Sequence, residues 1–324
     1  MNIKNYLWGK RGGLPILSFP VVQKLGITVE EMCKSEALAA DAMVYVAQNT
    51  ATLAAVSPMD LSLEAEAFGA AIRFAPIEVP AVTGQLVSSL EEAEALEIPA
   101  LTAGRIPHAL ETVRLAAERI TDKPVIAGMI GPFSLAGRLM DVTEILYTCY
   151  DEPEAVHAVM EKTTAFLISY ANALREAGAA GVMMAEPLTG ILSPDLAEEF
   201  SIPYVTKLIS AVQTEEFSVI YHNCGNSILH MAEQLFSQGA AAYHFGNAVP
   251  LKEMLKKAPA DTLCMGNIDP VAKFSAGTPD EMKQAVTELL EDCKEYPNFL
   301  PSSGCDIPAH AKWENIHAFF EALS

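Results

Sequence analysis

The chain has 324 residues, 51% of them hydrophobic, and 21 Lys and Arg stand against 41 Asp and Glu, a formal net charge of −20. An acid excess of that size argues against nucleic acid and anionic membrane surfaces as partners, since both are held by counter-charge. No run of about 18 apolar residues, no basic-apolar leader and no dense cysteine framework appears, so a soluble protein of a reducing cytoplasm is expected.

Short apolar runs alternate with longer helical patterns along the whole chain. Residues 14–21 form the first expected strand. Residues 28–48 predict a helix opening on Thr28, with Glu31 three positions on, the reciprocal pairing of a capping box. Residues 54–59 form a second run, closed by Asp60. Residues 61–107, interrupted by Pro76, Pro80 and Pro99, are expected as an excursion at a barrel mouth. A helix over 108–120 and a strand over 124–131, ending in Gly131-Pro132, come next. Helices are expected over 134–149 and 152–178.

The alternation is sharpest in the second half. Strands are expected over 180–185, 218–221, 241–244, 262–265 and 298–300. Helices follow near 194–213, 227–238, 250–257, 279–293 and 314–323. Strands alternating with helices imply parallel βαβ units. About eight repeats predict a (β/α)₈ TIM barrel, one domain spanning 1–324, with an N-terminal helical extension. No GxGxxG follows the first strand, which weighs against a doubly wound dinucleotide fold.

Polar residues collect where the strands finish: Asp60, Glu186, His222, Cys224, His244, Asp269 and Cys305. In a barrel these C-terminal ends form the active face. His222 and Cys224 are i and i+2 on one strand and point to the same side. Imidazole and thiolate are ligand types that Zn²⁺ prefers. The pair alone is equally the mark of plain strand packing; Cys305, at another strand end, supplies a third ligand and leaves a fourth position open. A substrate thiol bound there would be held as its reactive thiolate.

Glu186 and His244 are the candidate catalytic groups, with His244 alternatively a fourth ligand. Asp60, Gly131, Asn267 and Asp269 are candidates for ligand contact, against the plainer reading of loop capping and turn chemistry. Cys33, Cys149, Cys264 and Cys293 are expected to be structural, as is His230. His108, His157 and His317 fall in helical segments, and His310 stands near enough to Cys305 in sequence to support it.

Taken together, His222-x-Cys224, Gly266-Asn267-Ile268-Asp269-Pro270 and Ser303-Gly304-Cys305-Asp306-Ile307-Pro308 resemble the uroporphyrinogen decarboxylase superfamily, and within it the corrinoid-dependent methyltransferase branch. The stretches starting at Asp60, at Ala103-Gly104-Arg105 and at Ile130-Gly131-Pro132 extend the resemblance from about residue 10 to the C-terminus. The resemblance implies zinc on His222, Cys224 and Cys305. It also implies a barrel mouth that meets the cobalamin domain of a separate corrinoid protein. Methyl transfer would run between cobalamin and a thiol such as coenzyme M, tetrahydrofolate, or a methylated donor.

The decarboxylase branch is the alternative. It normally carries an arginine-containing Met-Arg-Gln-Ala-Gly-Arg-Tyr stretch that meets porphyrinogen carboxylates. Here the equivalent region reads Leu14-Pro15-Ile16-Leu17-Ser18-Phe19-Pro20, and a polycarboxylate calls for several charge-assisted partners. A barrel that binds a corrinoid or tetrapyrrole without chemistry is a further alternative. One departure from the family pattern is His244, where relatives carry an acidic residue.

Overall fold

The computed structural model describes residues 2–324. Seven strands form a parallel sheet: β1 (Ala55–Val56), β4 (Val125–Ile130), β5 (Gly181–Ala185), β6 (Ser218–Asn223), β7 (Ala242–Phe245), β8 (Leu263–Ile268) and β9 (Phe299–Ser303). They neighbour one another in chain order, and helices make the crossovers, as the alternating pattern requires. Two further strands, β2 (Ala71–Arg73) and β3 (Ala81–Thr83), form an antiparallel hairpin apart from this sheet.

Between β9 and β1 runs the segment 13–16. Leu14 N donates to Pro301 O at 3.0 Å on one side, and on the other Leu53 N donates to Gly13 O at 3.1 Å. This stave closes the sheet into a TIM-barrel-like fold. Pro15 has no N–H to offer a ladder, and from Phe19 the chain turns into a short 3₁₀ helix, Phe19–Val21. The strand expected over 14–21 is therefore shorter than its apolar run.

Strand alternation divides the core. Ile126, Met183, Ile220, Ala242, Leu263 and Leu300 point inward and pack with Leu14 and Val56. The helix Ile3–Leu7 closes the bottom of this interior: Ile3 and Leu7 are fully buried, and Ile3 N donates to Ser218 Oγ at 3.3 Å. The expected helical extension is thus a plug. Outward-facing Val182, Val219, Tyr243 and Cys264 pack beneath the surrounding helices, with Cys149 and Cys293 in the same layer.

Several helices are broken where single ones were expected, among them that over 194–213, which divides into Pro194–Phe200 and Ile202–Val212, and two of the breaks fall at a capping side chain. Thr28 and Glu31 form the capping box, but this helix ends at Lys34, and Ser35 caps a second, Glu36–Asn49, through Leu38 N. Likewise Pro132–Met140 and Val142–Asp151 are separated at Asp141, whose carboxylate accepts from Thr143 N and Glu144 N. Both breaks place a good N-cap residue inside an otherwise helical pattern. Among the described residues no helix is long and apolar enough to cross a membrane.

The excursion carries the helices Leu63–Ala67 and Leu90–Ala95 and the hairpin. Arg105 ties it to the barrel. Its guanidinium donates to Asp60 Oδ2 at 2.5 Å, to Glu66 Oε2 at 2.5 Å and to Ser62 Oγ at 3.1 Å, and it lies 4.8 Å from the Phe74 ring centre.

Candidate metal centre

β6 is a run of β-branched and aromatic residues that continues inward from Ile220 to His222. At its last residue, Asn223, the chain bends. The Asn223 side-chain amide donates to Glu186 O at 2.6 Å and its oxygen accepts from Gly225 N at 2.8 Å. Cys224 is thereby turned toward the barrel axis. The next loop presses against it: a Cβ on Gly246 would lie 2.5 Å from Cys224 Cα, so only glycine fits there. Cys305 arrives from the loop after β9.

Ligand atoms of His222, Cys224 and Cys305 all lie within 4.8 Å of one another. Cys305 Sγ is 3.6 Å from His222 Nε2. A tetrahedral zinc with ordinary Zn–S and Zn–N bonds sets sulfur and nitrogen about 3.6 Å apart. The donor set and its spacing therefore fit the ion, with a fourth position left over. The three residues face a cleft of about 70 Å³ lined also by Ile16, Met59, Leu61, Ala185, Pro187 and Asp306. None of these lining residues is Lys or Arg. Asp306 brings a buried carboxylate oxygen, Oδ1, that has no partner among the described residues, and burial raises its pKa well above the usual range.

Donation from Cys305 holds the Cys224 thiol well below its ordinary pKa, and the same contact, with burial, pushes Cys305 up. A cation at this point would stabilise both as thiolates.

The other predicted site residues are placed elsewhere in the fold. Glu186 is fully buried and caps the helix Pro132–Met140, accepting from Phe133 N at 3.0 Å, from Ser134 N at 2.7 Å and from the Ser134 hydroxyl. Burial raises its pKa to about 7, against the pull of those donors. Gly131 is the residue that lets the carboxylate in, because a Cβ there would collide with Glu186 Oε2. Asp60 points away from the cleft. Met59 and Leu61 on either side turn inward, so period-two alternation sends Asp60 outward to Arg105.

Asn267 donates to Gly246 O at 2.9 Å and Val249 O at 2.7 Å, fixing the loop after β7. Asp269 accepts from Val271 N and Ala272 N and from Asn247 Nδ2 at 2.9 Å. His244 lies behind His222 rather than beside the cleft. It is fully buried, its Nδ1 is 2.7 Å from His222 Nδ1, and its Nε2 is 2.7 Å from Ser302 Oγ. Neither ring nitrogen is left to take a proton from a substrate or to bind a metal. Burial, reinforced by His222, drives its pKa well below 6.5. His230 and His310 are exposed and outside the ligand cluster.

Ser302 and Asp306 have no role in the sequence reading. Both stand beside Cys305 in the stretch Ser302-Ser303-Gly304-Cys305-Asp306. The continuation of β9's inward alternation from Leu300 to Ser302 was the available signal.

Comparison with known proteins adds the lineage. A family model described as uroporphyrinogen decarboxylase (URO-D) matches residues 18–324. A methylcobamide:CoM methyltransferase, MtbA, of Methanosarcina acetivorans is 27% identical over 268 residues, 82% of this chain and 77% of that one. A uroporphyrinogen decarboxylase of Geotalea uraniireducens is also 27% identical, over 90% of this chain and 85% of its own. Among solved structures, a methyltransferase from Methanosarcina mazei superposes with a TM-score of 0.88 at 24% identity, covering 99% of this chain and 97% of that one. A B12-independent methionine synthase from a Shewanella species shares the fold more distantly, with a TM-score of 0.62 at 14% identity over 97% and 94%.

Proposed function

The chain belongs to the uroporphyrinogen decarboxylase family, and from that premise we propose that it is a zinc-dependent methyltransferase of a corrinoid system. It takes a methyl group from a corrinoid carried by a partner protein and passes it to a small thiol of the coenzyme M type. Overall identity does not separate this reading from decarboxylation, since relatives of both kinds stand at 27%. The observation that carries it is the soft ligand set, His222, Cys224 and Cys305, gathered at one cleft.

Decarboxylation of a polycarboxylate calls for cations around the substrate acids, and the cleft lining has none. Of the seven arginines, Arg105 is committed to Asp60 and Glu66. The net charge of −20 works against an acidic substrate as well.

When bound, zinc supplies a Lewis acid that holds the substrate sulfur as a thiolate at neutral pH. The rest falls to the chain. Cys224, Cys305 and His222 would hold the ion with its fourth position toward the mouth. Ile16, Met59, Leu61, Ala185 and Pro187 keep water from the substrate sulfur. The sulfur attacks the methyl carbon, the S–C bond forms, and the electron pair of the broken carbon–cobalt bond stays with the corrinoid.

The test is an assay with methylcobalamin and 2-mercaptoethanesulfonate, followed by the cobalamin spectrum. Methyl transfer is expected to stop on chelation and to return with zinc. Transfer at the untreated rate after chelation, or carbon dioxide release from uroporphyrinogen, would overturn the reading.

A further inference from the structure

We propose that Ser302 and His244 are positioning residues that lock the proton of His222 onto Nδ1 and so present a bare Nε2 to the metal. The consequence for metal binding rests on the zinc reading above; the proton order itself rests only on this chain's hydrogen bonds.

The order follows from one acceptor. Leu14 O is a carbonyl oxygen and can only accept. Ser302 Oγ lies 2.7 Å from it, and two oxygens that close without a proton between them repel. The hydroxyl proton is therefore committed to Leu14. What Ser302 Oγ turns to His244 Nε2, 2.7 Å away, is a lone pair, so His244 carries its proton on Nε2. The His244 ring is fully buried, without a carboxylate bonded to it, and is neutral. Its Nδ1 is then an acceptor, 2.7 Å from His222 Nδ1, and the proton in that contact belongs to His222. His222 Nε2 is left unprotonated, at 3.6 Å from Cys305 Sγ.

A metal-binding imidazole needs this state, and its ring is commonly held by a carboxylate or carbonyl on the other nitrogen. Here a second imidazole stands in for the carboxylate, and a serine and a backbone carbonyl fix its direction. The carbonyl belongs to the stave that closes the barrel.

Two measurements test the proposal. In metal-free ¹⁵N-labelled protein, long-range ¹H–¹⁵N spectra report the tautomer of each ring. The expected result is His222 protonated on Nδ1 and His244 on Nε2. Zinc affinity, measured by competition with a chromophoric chelator, is expected to fall about 10- to 100-fold in Ser302→Ala and His244→Phe. Ser302→Thr, which keeps the hydroxyl, should restore it. Ser302→Ala removes a single oxygen and carries the test if the histidine variant does not fold. Parent affinity in both variants, or His222 protonated on Nε2 in the metal-free parent, would overturn the proposal. A parent protein that takes up no zinc would instead break the functional reading, and the spectra would still decide the proton order.

Discussion

Met59 and Leu61 turn into the barrel and line the cleft beside Cys224 and Cys305, whereas Asp60, between them, turns out onto Arg105. Two buried polar clusters thus lie on opposite faces of one chain segment. In the outer cluster the charges are met from within. Asp60 accepts from Arg105 and from Ser62, and Arg105 also reaches Glu66 and Cys33 O. In the inner cluster two sulfurs and an imidazole nitrogen converge at the cleft, and Asp306 keeps an oxygen without a partner among the described residues. The charges of the outer cluster are met within the fold, and the inner one gathers a soft donor set at a cleft. Ligand-type donors gathered at a cleft, more than polarity at a strand end, distinguish a candidate binding site from a structural network.

Substitutions can break that contrast. The largest effect is expected at the inner cluster: Cys224→Ser or Cys305→Ser should take zinc content from one per chain to near none by elemental analysis. The metal-free melting temperature should hardly move. Full zinc occupancy in either variant would remove the site. At the outer cluster the outcome should be reversed. Arg105→Ala leaves Asp60 buried without its partner and should cost about 3–5 kcal/mol in urea unfolding, with zinc content unchanged.

A smaller loss, about 1–3 kcal/mol, is expected for Gly131→Ala, whose methyl group displaces the Glu186 carboxylate from its cap. Unchanged stability there would mean that Glu186 caps nothing.

The smallest effect sharpens the comparison through pH. Glu64 is buried beside the outer cluster, accepts from Ile130 N at 3.0 Å through one oxygen and leaves the other unpartnered. Burial raises its pKa to about 7 from 4.5. A carboxyl group raised on folding stabilises most below its unfolded pKa, and that contribution is lost as pH rises through the folded value. The parent should therefore lose stability between about pH 5 and about pH 8, and Glu64→Gln should lose less. Equal slopes in denaturant midpoints across that range would contradict the assignment.

The sequence carried the barrel because alternation of apolar runs and helical patterns is a local signal repeated along the whole chain. It carried the thiol–imidazole set for the same reason: His222 and Cys224 share a face by spacing alone. Asp60 shows where the reasoning stops. A strand-end position does not say which way a side chain turns, and only the flanking Met59 and Leu61 reveal it. Glu186 was drawn as a catalytic group and Asp269 as a ligand contact because capping, catalysis and binding use the same carboxylate chemistry. Ser302 was harder to place: alternation from Leu300 turns it inward, but its partner depends on register, since His222 pairs with His244 across β6 and β7 and Ser302 lies across the sheet on β9. No local pattern encodes three residues so far apart in the chain.

The plug formed by Ile3–Leu7 has a kinetic consequence. With the lower end of the barrel packed by Ile126, Met183, Ile220 and Leu263 beneath that helix, Cys224 and Cys305 are approached from the opposite end. On the function proposed above, a whole corrinoid-carrying domain and a small thiol would share that end. The thiol would then have to enter first, because the docked domain would bar its way, and the spent domain would have to leave before the small product could. Initial-rate patterns should accordingly show a compulsory sequence with the small reactant leading. A dead-end analogue of it should compete only with its own kind.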